Sequence, residues 1–190
     1  QLVRDQVKIV GGRNLITESI APETVYTLAI VEHIDPGRFA RGDDPVSLIN
    51  ETLVTLGLNR ELSYRYSVSS AKARGLFQFI PTTYAYIKQK CPRAGLTRDF
   101  VEGMETHENA AKAAHCLLDA DLARIPDALL DKYGANLYDR TRILAATYNG
   151  GASRTINALK KYGKNWVAHL PRETRLYIAK IEAVWKVLFP

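Results

Sequence analysis

The sequence predicts a mainly α protein (α+β in the strict sense) with one small β-hairpin inserted after the first helix. Three observations predict it. Apolar residues recur at helical spacing, as at Ala110, Ala113, Ala114, Leu117 and Leu118. Prolines stand where helices open, at Pro22, Pro81 and Pro171. Alternation with a period of two is confined to one stretch, between Glu51 and Ser69.

Taken in order, residues 1–21 have mixed composition with a Gly11-Gly12 break and are expected to form an N-terminal arm, leaving 22–190 as the domain. Pro22-Glu23 opens the first helix, with the acid near the positive end of the helix dipole. That helix runs to about His33, carries Val25, Leu28, Ala29 and Val31 or Glu32 on one side, and ends at Asp35-Pro36-Gly37. Residues 38–50 read as a polar connection. Leu53, Val54 and Leu56, then Gly57, Asn59 and Arg60, then Tyr64, Tyr66 and Val68 alternating with Ser63, Arg65, Ser67 and Ser69, give the hairpin signal. Helices are expected over 81–90, 98–104, 107–125, 139–148, 152–162 and 172–188. The alanine-rich 107–125 segment suits close helix packing.

A chain of 190 residues buries about 70% of its unfolded surface, so it folds without a metal or a covalent staple. No run of about 18 apolar residues is present, and no transmembrane segment is expected. The chain opens on Gln1 rather than Met and shows no basic-then-apolar leader, which reads as a processed or trimmed form whose signal peptide or lipid anchor lies outside it. The formal charge is +6, and the excess sits in residues 151–190, with eight Lys or Arg against two Asp or Glu. Such a basic tail either meets an anionic polymer or is a solvated helix face. No RNA-binding aromatic signature or zinc spacing accompanies it, so nucleic acid ranks low as a partner. Cys91 and Cys116 are the only cysteines; with no clustered His or Cys they make a poor metal site, and they are either a disulfide suited to an oxidising compartment or two buried thiols.

Four short words carry the chemistry: Ala29-Ile30-Val31-Glu32-His33, Ala73-Arg74-Gly75-Leu76-Phe77-Gln78-Phe79-Ile80-Pro81, Ala145-Ala146-Thr147-Tyr148-Asn149-Gly150-Gly151 and Glu173-Thr174-Arg175-Leu176-Tyr177. Glycoside cleavage needs a carboxylic acid that keeps its proton near neutral pH, which an apolar, partly dry setting favours. Glu32 follows four apolar residues at a helix end, whereas Glu23, Glu51, Glu102, Glu105 and Glu108 lie among polar ones. Glycine at 75 lets the backbone approach a sugar or take a positive φ, and Gln78 can both donate and accept hydrogen bonds. Gly150-Gly151 ends a helix behind a phenol and an amide.

The set resembles the lytic transglycosylases, the lysozyme-like enzymes that cut the bacterial cell wall, over about residues 22–180. The resemblance implies a lysozyme-like fold, the hairpin lobe and the helical lobe walling a cleft. It implies Glu32 as the catalytic acid, then base, with Glu61 as rival: in many members the glutamate lies about fifteen residues before the glycine word, and Glu61 precedes Gly75 by 14. Arg60-Glu61 falls at the expected hairpin turn, where a carboxylate is wet, and the membrane-bound B-type members carry a long insert between glutamate and glycine word, which favours Glu32. Ser69 or Ser70 is expected to orient the N-acetyl group, Gln78 to line the cleft, Tyr148 to set its phenol against the acid, Asn149 to bridge backbone or sugar, Tyr177 to line the cleft and Arg175 to tie segments by a salt bridge. Departures are His33 for the usual serine or threonine, Lys72 for a small residue and Thr147 for alanine. The implied partners are peptidoglycan glycan strands and cell-envelope machinery. The protein is expected as a monomer with no cofactor and no metal, in the periplasm or cell envelope or secreted, or of phage origin. A hydrolase of the goose or phage lysozyme type would instead use Asp35, Asp43 or Asp44 to activate water, and a wall-binding module would keep the cleft without turnover.

Overall fold

In a computed structural model the described residues are 19–190, so all but the last three residues of the expected N-terminal arm lie outside them. They divide into two compact units, the first of residues up to His33 together with Glu51–Ala120, the second of Ile34–Asn50 and Asp121–Pro190.

In the first unit, helix α1 (Pro22–Val31) is hydrophobic nearly all round and correspondingly buried, with Leu28, Ile30 and Val31 fully inaccessible. The chain enters it docked: Ser19 Oγ donates to Asp119 Oδ1 at 2.7 Å, and Ile20 is buried. Tyr84 in the later helix Pro81–Lys90 is also buried, donating to the Thr97 carbonyl and accepting from Asn109.

The second unit begins with α2 (Pro36–Arg41), capped by Asp35, whose carboxylate accepts from the Arg38 N–H at 2.8 Å. Next comes α3 (Pro45–Asn59), which passes from this unit into the first; Asp44 accepts from the Ser47 N–H at its start. In chain order there follow α4 (Pro81–Lys90), α5 (Phe100–Met104) and α6 (His107–Leu122), of which α6 also runs from the first unit into the second. The expected stripe of α6 is its buried face, with Ala110, Ala113, Ala114 and Leu118 at zero exposure. The second unit is completed by α7 (Asp127–Tyr133), α8 (Leu137–Gly150), α9 (Ala152–Tyr162), a 3₁₀ segment Gly163–His169 and α10 (Arg172–Leu188). Its core gathers Ile125, Ile143, Ala146, Ala158, Leu159, Trp166, Leu170 and Ile178.

The mainly helical class is as expected, and the inserted β-hairpin is not. Residues 45–59 form one helix because Asp44 caps it, Pro45 starts it, and Leu48, Ile49 and Thr52 bury at helical spacing. Of the apolar residues that imitated strand alternation, Val54 is 57% exposed, Tyr66 68% and Val68 49%. Arg60 and Tyr64 hold φ of 47° and 56°, which no strand tolerates, within a 3₁₀ turn and the turns after it. Extended pairing among the described residues in this region is limited to isolated antiparallel bridges, Val68 to Arg74 and Arg74 to Phe79. The connection expected over 38–50 holds α2 and the start of α3, and α7 had no counterpart in the expected helices.

Candidate active site

Each unit brings two of the four words together. In the first, Glu32 is the C-terminal cap of α1, half-buried, with its N–H bonded to the Leu28 carbonyl at 3.1 Å. Buried Leu28, Ala29, Ile30, Val31 and Ile34 flank it in sequence. The next residue, His33, places Nε2 at 2.9 Å from the Leu76 carbonyl, in the middle of the glycine word. A carbonyl only accepts, so Nε2 carries the proton. The His33 ring stacks on Tyr64 at 3.5 Å and 5°. The carboxylate word is thereby clipped to the turn that carries Gln78.

That turn is built tightly. Arg74 and Phe79 exchange backbone hydrogen bonds of 2.9 and 3.1 Å, closing the four-residue loop Gly75 to Gln78. Gly75 sits at φ +72°, and a Cβ there would collide with the Met104 carbonyl oxygen at the end of α5. Gln78 also holds a left-handed backbone, at φ +48°, an unfavourable state for a non-glycine residue that the surrounding bonds maintain. Its Nε2 donates to the Gly75 carbonyl at 2.9 Å and to Ser67 Oγ at 3.2 Å, so both amide protons are engaged and the orientation of Oε1 is set. Ser69 spends its hydroxyl on the loop, accepting from the Ala73 N–H at 3.1 Å, while Ser70 is exposed at the loop tip. Glu61, the rival acid, is exposed on the 3₁₀ turn Arg60–Leu62.

In the second unit, the third and fourth words meet. Gly150 packs so closely on Thr174 that a Cβ would lie 2.8 Å from Thr174 Oγ1. Tyr148 and Tyr177 lie nearly parallel, 6.5 Å between ring centroids, with Tyr148 half-buried and Tyr177 buried. Asn149 has a buried Oδ1 without a hydrogen-bond partner among the described residues, an acceptor of the kind that a ligand donor relieves. Lys180 is buried with its Nζ over the Tyr177 ring at 5.5 Å and donating to the Ile34 carbonyl at 3.3 Å. Arg175 was expected in a salt bridge; among the described residues it instead donates to the Ala168 carbonyl at 3.4 Å, tying α10 to the 3₁₀ segment before it.

The departure at Thr147 has a partner. Its hydroxyl has one proton and two acceptors within reach, the Leu144 carbonyl at 2.7 Å and the carboxyl of Asp121; Asp121 is only 5% exposed, and burial pushes its pKa up to about 6 against the pull of Thr147 and Arg124. Sequence reasoning missed Asp121, Ser67 and the bond made by His33; only the Thr147 and His33 departures pointed toward them. Cys91 and Cys116 are free thiols, both buried and hydrogen-bonded to each other, with the bond to Cys91 and then burial pushing Cys116 up. No group of three or more His, Cys, Asp or Glu residues able to hold a metal ion occurs among the described residues. Nor is any described helix long and apolar enough to cross a membrane.

No curated protein and no solved structure matches the chain. The family model of the transglycosylase SLT domain matches residues 63–169. The match encloses Ser69, Ser70, Gln78, Tyr148 and Asn149, and leaves Glu32, Glu61 and Tyr177 outside it. It covers more than half of the sequence, with the glycine word and the tyrosine-asparagine word both inside it, and the chain belongs to the transglycosylase SLT domain family.

Proposed function

We propose that the chain is a lytic transglycosylase of the cell envelope that cleaves the β-1,4 bond between N-acetylmuramic acid and N-acetylglucosamine, with Glu32 as the single acid and base. Family membership supports peptidoglycan as the substrate. The observation that carries the assignment of Glu32 is its half-buried position at the end of a buried helix, with the adjacent His33 bonded into the turn of Gln78. Glu61 is exposed on the 3₁₀ turn Arg60–Leu62 and lacks the buried helix end that flanks Glu32.

In the first step Glu32 gives its proton to the bridging oxygen, and the glycosidic bond breaks as the N-acetyl carbonyl oxygen of the muramyl sugar engages C1. In the second step the Glu32 carboxylate takes the proton of the C6 hydroxyl, O6 closes on C1, and the acetamido group is released. The product is a 1,6-anhydromuramyl end, and Glu32 is again protonated. Ser70, Gln78, Asn149 and Tyr177 are assigned to holding the sugar and Tyr148 to orienting the reacting groups, while Ser69 shapes its own loop.

A hydrolase would need a second carboxylate to activate water. Asp35 and Asp44 are spent as helix caps, their backbone and hydroxyl hydrogen bonds lowering their pKa and their basicity, and Asp43 is paired with Arg38 at 2.9 Å. Muropeptides released from purified sacculi will be lighter by one water than the reducing-end products of a hydrolase. The Glu32→Gln protein will release none. Full activity in Glu32→Gln, or reducing ends in place of anhydro ends, sinks the mechanism.

A further inference from the structure

The second unit contains a cavity that no step above uses. It is open to solvent, has a volume of about 440 Å³ and is lined by Arg154, Asn157, Ala158 and Lys161 of α9, with Tyr162 and His169. Positions 154, 157, 158 and 161 share one face of α9, so the helix presents a guanidinium, an amide and an ammonium in a row over the small, buried Ala158. The 3₁₀ segment returns His169 to stack on Tyr162 at 3.5 Å and 9°, giving a flat aromatic wall. Lys161 lies over the same tyrosine ring at 5.1 Å. Arg154 spends one N–H on the Gly150 carbonyl at 3.2 Å, which fixes the guanidinium and leaves its other donors for a ligand. No acidic residue lines the cavity.

We propose that this cavity binds a carboxylate-bearing segment of the peptide stem carried by the glycan. The inference rests on the peptidoglycan reading above. A pocket of this size takes one or two amino-acid residues rather than a run of sugars. Two cations, of which Arg154 is held by its bond to Gly150, and an amide match a carboxylate, and the stacked rings match the methylene groups that carry it. The bond from Arg154 to Gly150 sets the cavity beside the end of α8, one residue beyond Asn149. A sugar held by Asn149 carries its stem on the lactyl group, so the anion arrives next to the glycan on the same unit. A free phosphate is the competing ligand; the monodentate Arg154 and the aromatic wall favour the carboxylate.

The test is calorimetric titration of the whole chain with a synthetic stem tetrapeptide bearing free carboxylates, with the same peptide fully amidated, and with inorganic phosphate. It requires no turnover, so failure of the cleavage mechanism leaves the result readable. The free peptide is expected to bind, the amidated peptide to bind at least about tenfold more weakly, and Lys161→Glu, a substitution at an exposed position, to lose about tenfold for the free peptide. Asn157→Ala, which leaves charge unchanged, is expected to weaken binding by a smaller factor. Equal binding of free and amidated peptide, phosphate binding as tightly as the peptide, or wild-type affinity in a folded Lys161→Glu protein overturns the proposal.

Discussion

Replacing Gly75 by alanine isolates what the glycine turn contributes. Two costs add at this position. An alanine held at φ +72° pays about 1–2 kcal/mol for a left-handed backbone. Its Cβ also meets the carbonyl of Met104, backbone at the end of α5 that cannot swing aside as a side chain would, and forced overpacking of this kind costs about 1–3 kcal/mol. Gly95 supplies the control. It lies in the same unit, at φ +62°, with nothing within 4 Å of a built Cβ, so Gly95→Ala pays only the backbone cost. The expectation is a loss of about 2–5 kcal/mol for Gly75→Ala and about 1–2 kcal/mol for Gly95→Ala. For a chain of this length, a loss of about 3 kcal/mol lowers the melting temperature by roughly 6–12 °C. Urea unfolding followed by circular dichroism measures both variants. Equal losses at the two positions would mean that the approach of Met104 contributes nothing, and the account of the turn would be wrong.

Two further outcomes follow from buried groups. Asp121 has a folded pKa of about 6 against a reference of 3.8, so the unfolded chain gives up this proton first as pH rises; its contribution to stability falls between those values and is constant above and below them. Asp121→Asn should therefore gain stability relative to wild type at pH 7.5, by an amount on the order of 2 kcal/mol, and show no such gain at pH 3, in thermal melts at the two pH values. Cys91 and Cys116, already hydrogen-bonded, should close to a disulfide on exposure to a thiol-disulfide oxidant, with a mass loss of two hydrogens and a stabilisation of about 3 kcal/mol for a loop of about 25 residues, reversed by reductant. An unchanged mass after oxidation of the native protein counts against the pairing.

How much could be read in advance differed from element to element, for physical reasons. The helices Pro81–Lys90, Ala152–Tyr162 and Arg172–Leu188 agree with the expected spans because proline, glycine and charge punctuate them locally. Residues 51–69 misled because Val54, Tyr66 and Val68 are apolar yet exposed, and periodicity carries structure only when the apolar face is buried. The bond that ties the Glu32 word to the glycine word joins His33 to Leu76, residues 43 apart, and a contact of that kind leaves no periodic trace. Asp121 lies at the end of an alanine-rich helix, where its sequence neighbours say nothing of its burial. The glycines were legible as turns, but the reason they are glycines, Met104 against Gly75 and Thr174 against Gly150, belongs to tertiary packing.

The bond from His33 to Leu76 bears on the proposed mechanism, in which Glu32 changes charge in every cycle. An imidazole that donates through Nε2 keeps that proton whether the ring is neutral or cationic. In the proposed mechanism Glu32 alternates between neutral acid and carboxylate, so a negative charge appears and disappears beside His33, yet the hydrogen bond that anchors the turn has the same donor and the same acceptor throughout. A neutral hydroxyl could turn to follow the carboxylate and release the carbonyl; the imidazole, held flat by Tyr64, has no rotor to turn. On that proposal the scaffold beside Glu32 is indifferent to the proton that Glu32 moves.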